Sequence, residues 1–171
     1  MTKIVPKAAA RKRSVKSPTE SAPIPLEKHI TYGLLRLTNR LNRQSMRLLD
    51  EAAGLGLPEW RCLAFIGAAS KISLNEIFDR TRMDRGLISR STQSLVDKGL
   101  VLVERDRADR RLVHAAVTTK GRQVYRVVRP VMHARQMRLL ESLSDADRSA
   151  LYRIMDRLNC CLDEWPSQQD T

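Results

Sequence analysis

Arg105, Arg107, Arg110 and Arg111 fall inside one eleven-residue stretch, VERDRADRRLV, with Glu104, Asp106 and Asp109 among them. A guanidinium is planar, permanently charged and rich in N–H donors, which suits it to phosphate. A tight hairpin turn needs only residues of the Asn-Gly kind. Cations in this number therefore point to a polyanionic partner. A second polar group, Arg85, Ser89, Arg90 and Gln93, lies just upstream. Arginine can take guanine bidentately and glutamine can take adenine. The chemistry of both groups is recognition. The sequence has no Gly-rich phosphate loop, no G-x-S-x-G and no H-E-x-x-H. His29, His114 and His133 are scattered, without C-x-x-C or H-x-x-x-H spacing. No catalytic residue, cofactor or metal site is expected.

The formal net charge of +12 agrees with an anionic partner, nucleic acid or an anionic membrane surface. No apolar run approaches the roughly 20 residues of a membrane span, and the basic N-terminus lacks the apolar core of a signal peptide. A cytoplasmic protein with no membrane partner is expected. Cys62, Cys160 and Cys161 make no disulfide framework and are read as reduced thiols.

These polar groups need rigid elements to hold them. Residues 1–25 carry four prolines and six basic residues against one acid, and read as a disordered basic arm, either a DNA tether or a solubilising tail. Apolar residues at helical spacing predict a first helix over 26–53, closed by Gly54 and Gly56. Pro58 opens a second helix that ends near Ser70. Ser73 and Glu76 form a capping box for a short helix over 73–80. Asp84 caps the next, 84–98, and Gly99 closes it. Two β-prone runs, 100–104 and 112–117, flank the charged turn. Helices from Thr118 or Thr119 to 142 and from Ser144 to 164 follow. The expected order is α-α-α-α-β-β-α-α.

Two short helices joined by three residues have helix-turn-helix spacing, with the second placed to enter the major groove. On that helix Leu87, Ile88, Leu95 and Val96 face inward, which leaves Arg85, Ser89, Arg90 and Gln93 outside. The same pattern fits any amphipathic surface helix. The following hairpin is what makes it a winged helix, because an arginine tip can enter the strongly negative minor groove. A carboxylate at the tip can hold a neighbouring guanidinium in one pose, and in a regular strand Asp109 and Arg111, two apart, would share a face.

Residues 73–121 resemble the winged helix-turn-helix of the MarR (multiple antibiotic resistance regulator) family. The resemblance is carried by SLNEIFDRTRMDRGLISRSTQSLVDKGLV, the DRR at 109–111 and the TTKG at 118–121. The flanking helices match the family's dimerisation region in length and order. The resemblance implies a mainly α fold with a small β-wing. It implies a winged helix-turn-helix over 58–118 and a helical dimerisation region over 26–57 and 119–165. It further implies a homodimer on a pseudo-palindromic duplex, with Arg111 as the wing arginine and Asp109 as its partner. Family members are mostly repressors that release DNA when a small molecule, often an aromatic acid, binds. DNA contacts are expected from Ser73, Arg85, Ser89, Arg90, Gln93, Arg107, Asp109, Arg110 and Arg111. Arg85-Gly86 stands where the family usually has Ser or Thr.

The residues argue for a dimer independently. The leucine seam of the first helix, and that of the last (Leu151, Ile154, Met155, Leu158, Leu162), cannot both be buried within so small a chain. An effector, an aromatic acid or its thioester, would be held by Tyr32, Arg36, Arg40, Trp60 and Arg61; otherwise Trp60 is core and the arginines are surface cations. Two alternatives stay open: a redox-sensing regulator acting through a cysteine, and a winged-helix module that binds protein.

Overall fold

Caps and prolines decide where this chain stops and starts its helices. The computed structural model describes residues 24–106, 108, 109 and 112–164, and its contacts form two units that meet between Thr38 and Asn39. In the first unit Leu26–Lys28 form one 3-10 turn after Pro25, and His29 Nε2 donates to the Ile24 carbonyl at 2.8 Å. Helix α1 then spans Ile30–Ala53. Its expected start at residue 26 is corrected to 30, because His29 is extended (ψ 132°) and separates turn from helix. Ile30, Leu34, Leu35 and Leu37 are exposed.

The second unit holds the rest of α1, then α2 (Leu57–Ala69), β1 (Lys71–Ser73), α3 (Leu74–Thr81), α4 (Arg85–Asp97), β2 (Val101–Arg105), β3 (Val113–Val117), α5 (Thr119–Glu141) and α6 (Asp145–Asp163). Four side-chain caps start helices as the sequence predicts. Ser73 Oγ accepts from Glu76 N, Asp84 Oδ1 from Leu87 N, Thr118 Oγ1 from Gly121 N, and Ser144 Oγ from Asp147 N. Each satisfies one N–H that the first helical turn leaves unpaired.

The sheet corrects the expected order. It has three antiparallel strands in the order β1-β3-β2, with Ile72 and Val103 both in register with Ala115. β1 is three residues long, too short to show an alternating pattern, and it exists because β3 offers it an edge. The element order is thus α-α-β-α-α-β-β-α-α, and the fold class is a mainly helical winged helix. α2 threads the core with Trp60, Cys62, Leu63 and Ile66 buried, and Ile88 and Leu95 of α4 pack into the same cluster with Ile72, Val101, Ala115 and Val128. Burying each such Leu or Ile contributes about 1.5–3 kcal/mol. α6 differs: none of its residues is buried, and Leu151, Tyr152, Ile154, Met155 and Leu162 are exposed.

The junction before α5 explains the TTKG sequence. Thr118 Oγ1 donates to the Gly99 carbonyl at 2.8 Å, with the Leu100 carbonyl at 3.1 Å, and Thr118 N donates to the Leu100 carbonyl at 3.1 Å. Gly121 packs against that same carbonyl, and a Cβ there would lie 1.9 Å from the Leu100 oxygen. Relief would require moving backbone. Gly121→Ala is expected to lower the stability of unfolding by about 3 kcal/mol, at the upper end for overpacking, as read from urea denaturation. An unchanged midpoint would show that the junction gives way freely.

Candidate nucleic-acid interface

The turn between α3 and α4 is built by side chains. Thr81 Oγ1 donates to the Ile77 carbonyl at 2.7 Å and accepts from Met83 N at 3.2 Å, which ends α3. Arg82 takes the left-handed conformation (φ 53°), and its N–H donates to the Phe78 carbonyl. Asp84 then caps α4. The inner face of α4 buries Ile88, Ser91, Thr92 and Leu95, while Arg85, Ser89, Arg90 and Gln93 are exposed on the other side.

The exposed side chains are partly fixed. Gln93 Nε2 donates to Asp97 Oδ1 at 2.8 Å. Arg90 lies along the helix over Gly86, where an added Cβ would stand 3.1 Å from Arg90 Nη1. Arg85 Nη1 donates to Asn75 Oδ1 at 2.7 Å, and its guanidinium carbon stands 3.8 Å from the centre of the Phe78 ring. Nothing in the sequence pattern singles out Asn75 and Phe78 as partners of Arg85. They are ten and seven residues from Arg85, a spacing that marks neighbours only once the α3–α4 turn is known. Ser73 is half-buried and its hydroxyl caps α3.

Behind α4 lies a third residue that the sequence pattern does not single out. Glu59 of α2 accepts from Gly56 N at 2.6 Å, from Ser94 Oγ at 2.5 Å and from Lys98 Nζ at 2.8 Å. Burial works against its charge, but the Lys98, Ser94 and Gly56 donors and the Lys98 charge outweigh that, so its carboxyl lies below the ordinary value of 4.5. One carboxylate thus ties α2 to the last turn of α4.

In the hairpin, Asp106 has a role that the charge pattern did not suggest. Its Oδ1 accepts from Ala108 N at 2.8 Å and Asp109 N at 3.1 Å, and His114 Nε2 lies 3.4 Å from Oδ2. Those backbone donors, Asp109 first, together with the His114 charge hold its carboxyl below the usual range. The turn closes with Asp106 N donating to the Leu112 carbonyl and Leu112 N to that of Asp109, both at 2.9 Å. Arg105, at the end of β2, is exposed. Arg107, Arg110 and Arg111 lie outside the described residues, and with them the expected pairing of Asp109 with Arg111.

The expected effector residues are divided between the two units. Tyr32 and Arg36 belong to the first unit, Arg40, Trp60 and Arg61 to the second. Trp60 is buried and stacked on Tyr125, ring centres 6.0 Å apart. Arg61 Nη2 donates to Asn42 Oδ1 at 3.3 Å, and Arg40 is exposed. A different groove, of about 390 Å³, runs between Gln44 and Leu48 of α1 and Val131, Ala134, Arg135, Arg138, Leu139 and Ser142 of α5 and its end. Arg135 is fixed there, Nε donating to Gln44 Oε1 and Nη2 to the Leu41 carbonyl, both at 3.1 Å. Cys62 is fully buried, which pushes its thiol up to about 11, whereas Cys160 and Cys161 are exposed. Among the described residues no group of three or more His, Cys, Asp or Glu could hold a metal, and no helix is long and apolar enough to cross a membrane.

Residues 53–112 match the model of the MarR family. The HTH-type transcriptional regulator BilQ of Clostridium symbiosum is 25% identical over 111 residues, 65% of this chain and 76% of that protein. A MarR/EmrR family transcriptional regulator from Acinetobacter sp. ADP1 superposes with a TM-score of 0.74 at 26% identity, over 82% of this chain and 99% of that one. Sco3205 of Streptomyces coelicolor, a MarR family regulator solved in complex with DNA, shares the fold with a TM-score of 0.72 at 21% identity, over 89% and 96% of the two chains.

Glu59 carries a pH signature. Its folded value lies below the unfolded one, so its contribution is complete above pH 4.5 and is lost as pH falls through the folded value. Glu59→Gln is expected to cost about 2 kcal/mol at pH 7, with the gap to wild type closing below pH 4.5 in urea titrations at stepped pH. An equal gap at both ends of that range would contradict a charge-based role.

Proposed function

We propose that this chain, which belongs to the MarR family through its winged helix-turn-helix, is a homodimeric, sequence-specific DNA-binding repressor released by a small acidic effector in the cytoplasm. The observation that carries the reading is α4. It buries one face in the core and presents Arg85, Ser89, Arg90 and Gln93 on the other, beside a hairpin whose tip sequence is rich in arginine. Such a helix fits the major groove, and the hairpin fits the neighbouring minor groove. The DNA-contacting set is Ser73, Arg85, Ser89, Arg90, Gln93, Arg107, Asp109, Arg110 and Arg111. Residues 58–118 would bind DNA, and 26–57 with 119–165 would dimerise.

The dimer is supported by α6, whose apolar face finds no cover among the described residues. Contiguous apolar surface of this kind is rarely left to water. A second copy covers it with the same face, as a two-fold interface requires, and sets two α4 helices about 34 Å apart. The effector reading moves from the residues expected in the sequence to the α1–α5 groove. Its leucine and valine walls suit an aromatic ring, and the exposed Arg138 suits a carboxylate. The burial and raised pKa of Cys62 speak against sensing through that thiol, since the thiolate is the reactive form.

Selection from a random duplex pool tests the proposal. Wild type is expected to enrich a two-half-site inverted sequence, and aromatic acids added to the same assay should release it. Leu151→Asp with Met155→Asp should run as a monomer in light scattering, keep its helical circular dichroism, and lose at least about a hundredfold in affinity for the enriched duplex. Enrichment of no sequence, or full affinity from a monomeric variant, would refute the reading.

A further inference from the structure

The two arginines in the first half of α4 are held in opposite directions. Arg90 follows its own helix over Gly86, where a Cβ would stand 3.1 Å from Arg90 Nη1. Arg85 turns off α4 and onto α3, its guanidinium carbon over the Phe78 ring and its Nη1 bonded to Asn75. An arginine free in water loses much rotamer freedom on binding; these two contacts remove much of it beforehand.

What this fixed arginine can take follows from the donors left over. Its bond to Asn75 uses one of five N–H groups, so four remain. Asn75 Oδ1 is turned toward Arg85 by that bond, and its amide offers two further N–H donors. A cleft of about 160 Å³ lies beside them, its other walls made by Leu74, Phe78, Ile88 and Val113, none of which has a side-chain acceptor. The cleft therefore suits a small group that only accepts hydrogen bonds and carries negative charge, as a phosphodiester oxygen does. A base edge mixes donors with acceptors and asks for an in-plane fork.

Position agrees with chemistry. In a helix-turn-helix the first helix crosses the DNA backbone while the start of the second reaches base edges. An arginine bent back onto the first helix stands where the sugar-phosphate strand passes. We infer that Arg85, positioned by Asn75 and Phe78, clamps one backbone phosphate per protomer and carries no base preference, which leaves base reading to Ser89, Arg90 and Gln93. This rests on the DNA-binding reading above, and it divides a set of residues that the sequence treats alike.

The test uses the full-length protein, the duplex that it selects from a random pool and a scrambled duplex of equal length, titrated by fluorescence anisotropy at several KCl concentrations. Arg85→Ala and Arg85→Gln are expected to lose about tenfold on both duplexes alike. The slope of log K against log salt should fall by about 1.8 for a dimer that gives up two phosphate contacts. Asn75→Ala and Phe78→Leu should lose less, keep the wild-type slope and add nothing to the loss of Arg85→Ala; Phe78→Trp should retain wild-type affinity. Arg90→Ala should instead relax the selected sequence. Relaxed preference at one base pair in Arg85→Ala, or an unchanged salt slope, overturns the assignment. Additive losses from Asn75 or Phe78 overturn their positioning role. A wild-type protein that binds neither duplex overturns the DNA-binding reading itself, and the assignment with it.

Discussion

The Leu100 carbonyl is the point through which α4, the β2–β3 hairpin and α5 are fixed to one another. It sits one residue past the left-handed Gly99 (φ 70°), where the chain leaves α4 and enters β2. Thr118, at the other end of the hairpin, bonds to it through its backbone N–H, and Gly121 lies against it without a side chain. Lys120 Nζ adds a bond to the Lys98 carbonyl at 2.8 Å. The two ends of the hairpin are thus tied to the end of α4 and the start of α5. A winged helix requires that coupling, because a reading helix and a wing that moved independently could not meet two grooves in register.

The same economy governs the underside of α4. Burial of Ile88 and Leu95 holds the helix down, but apolar packing alone tolerates small rotations. Glu59 adds direction: its carboxylate joins Gly56, Ser94 and Lys98, so the C-terminal turn is fixed by charge-assisted bonds. At the opposite end Asp84 caps the helix and Arg85 bonds across to α3. With both ends held, the polar face of α4 is presented at a defined angle. Preorganisation of this kind lowers the ordering cost of binding.

The sequence made some of this legible because certain signals are local. Ser73, Asp84, Thr118 and Ser144 each cap the helix that their residue type and position predict, since a cap needs only neighbours within three residues. The inward stripe of α4 is likewise a matter of period. The features that escaped are long-range. β1 is three residues whose strand character comes entirely from pairing with Ala115 and its neighbours, more than forty positions away. Glu59 reads as an ordinary first-turn acid until α4 is laid across α2. Asp106 reads as a companion for arginine, yet its described partners are backbone N–H groups and His114. Leu26 and Lys28 suit a helix that begins at residue 26, but the extended His29 interrupts it and α1 starts at Ile30.

The exposed apolar residues of α6 and the exposed polar face of α4 meet in the proposed reading: two chains that carry paired recognition helices to one duplex. Hydroxyl-radical footprinting of the selected duplex tests it most directly, since it reports backbone protection base by base. Paired recognition helices should leave two protected segments centred about 10 base pairs apart, each with a further protected patch on its outer side where a wing lies in the minor groove. A single protected segment, or protection spread evenly along the duplex, would contradict it.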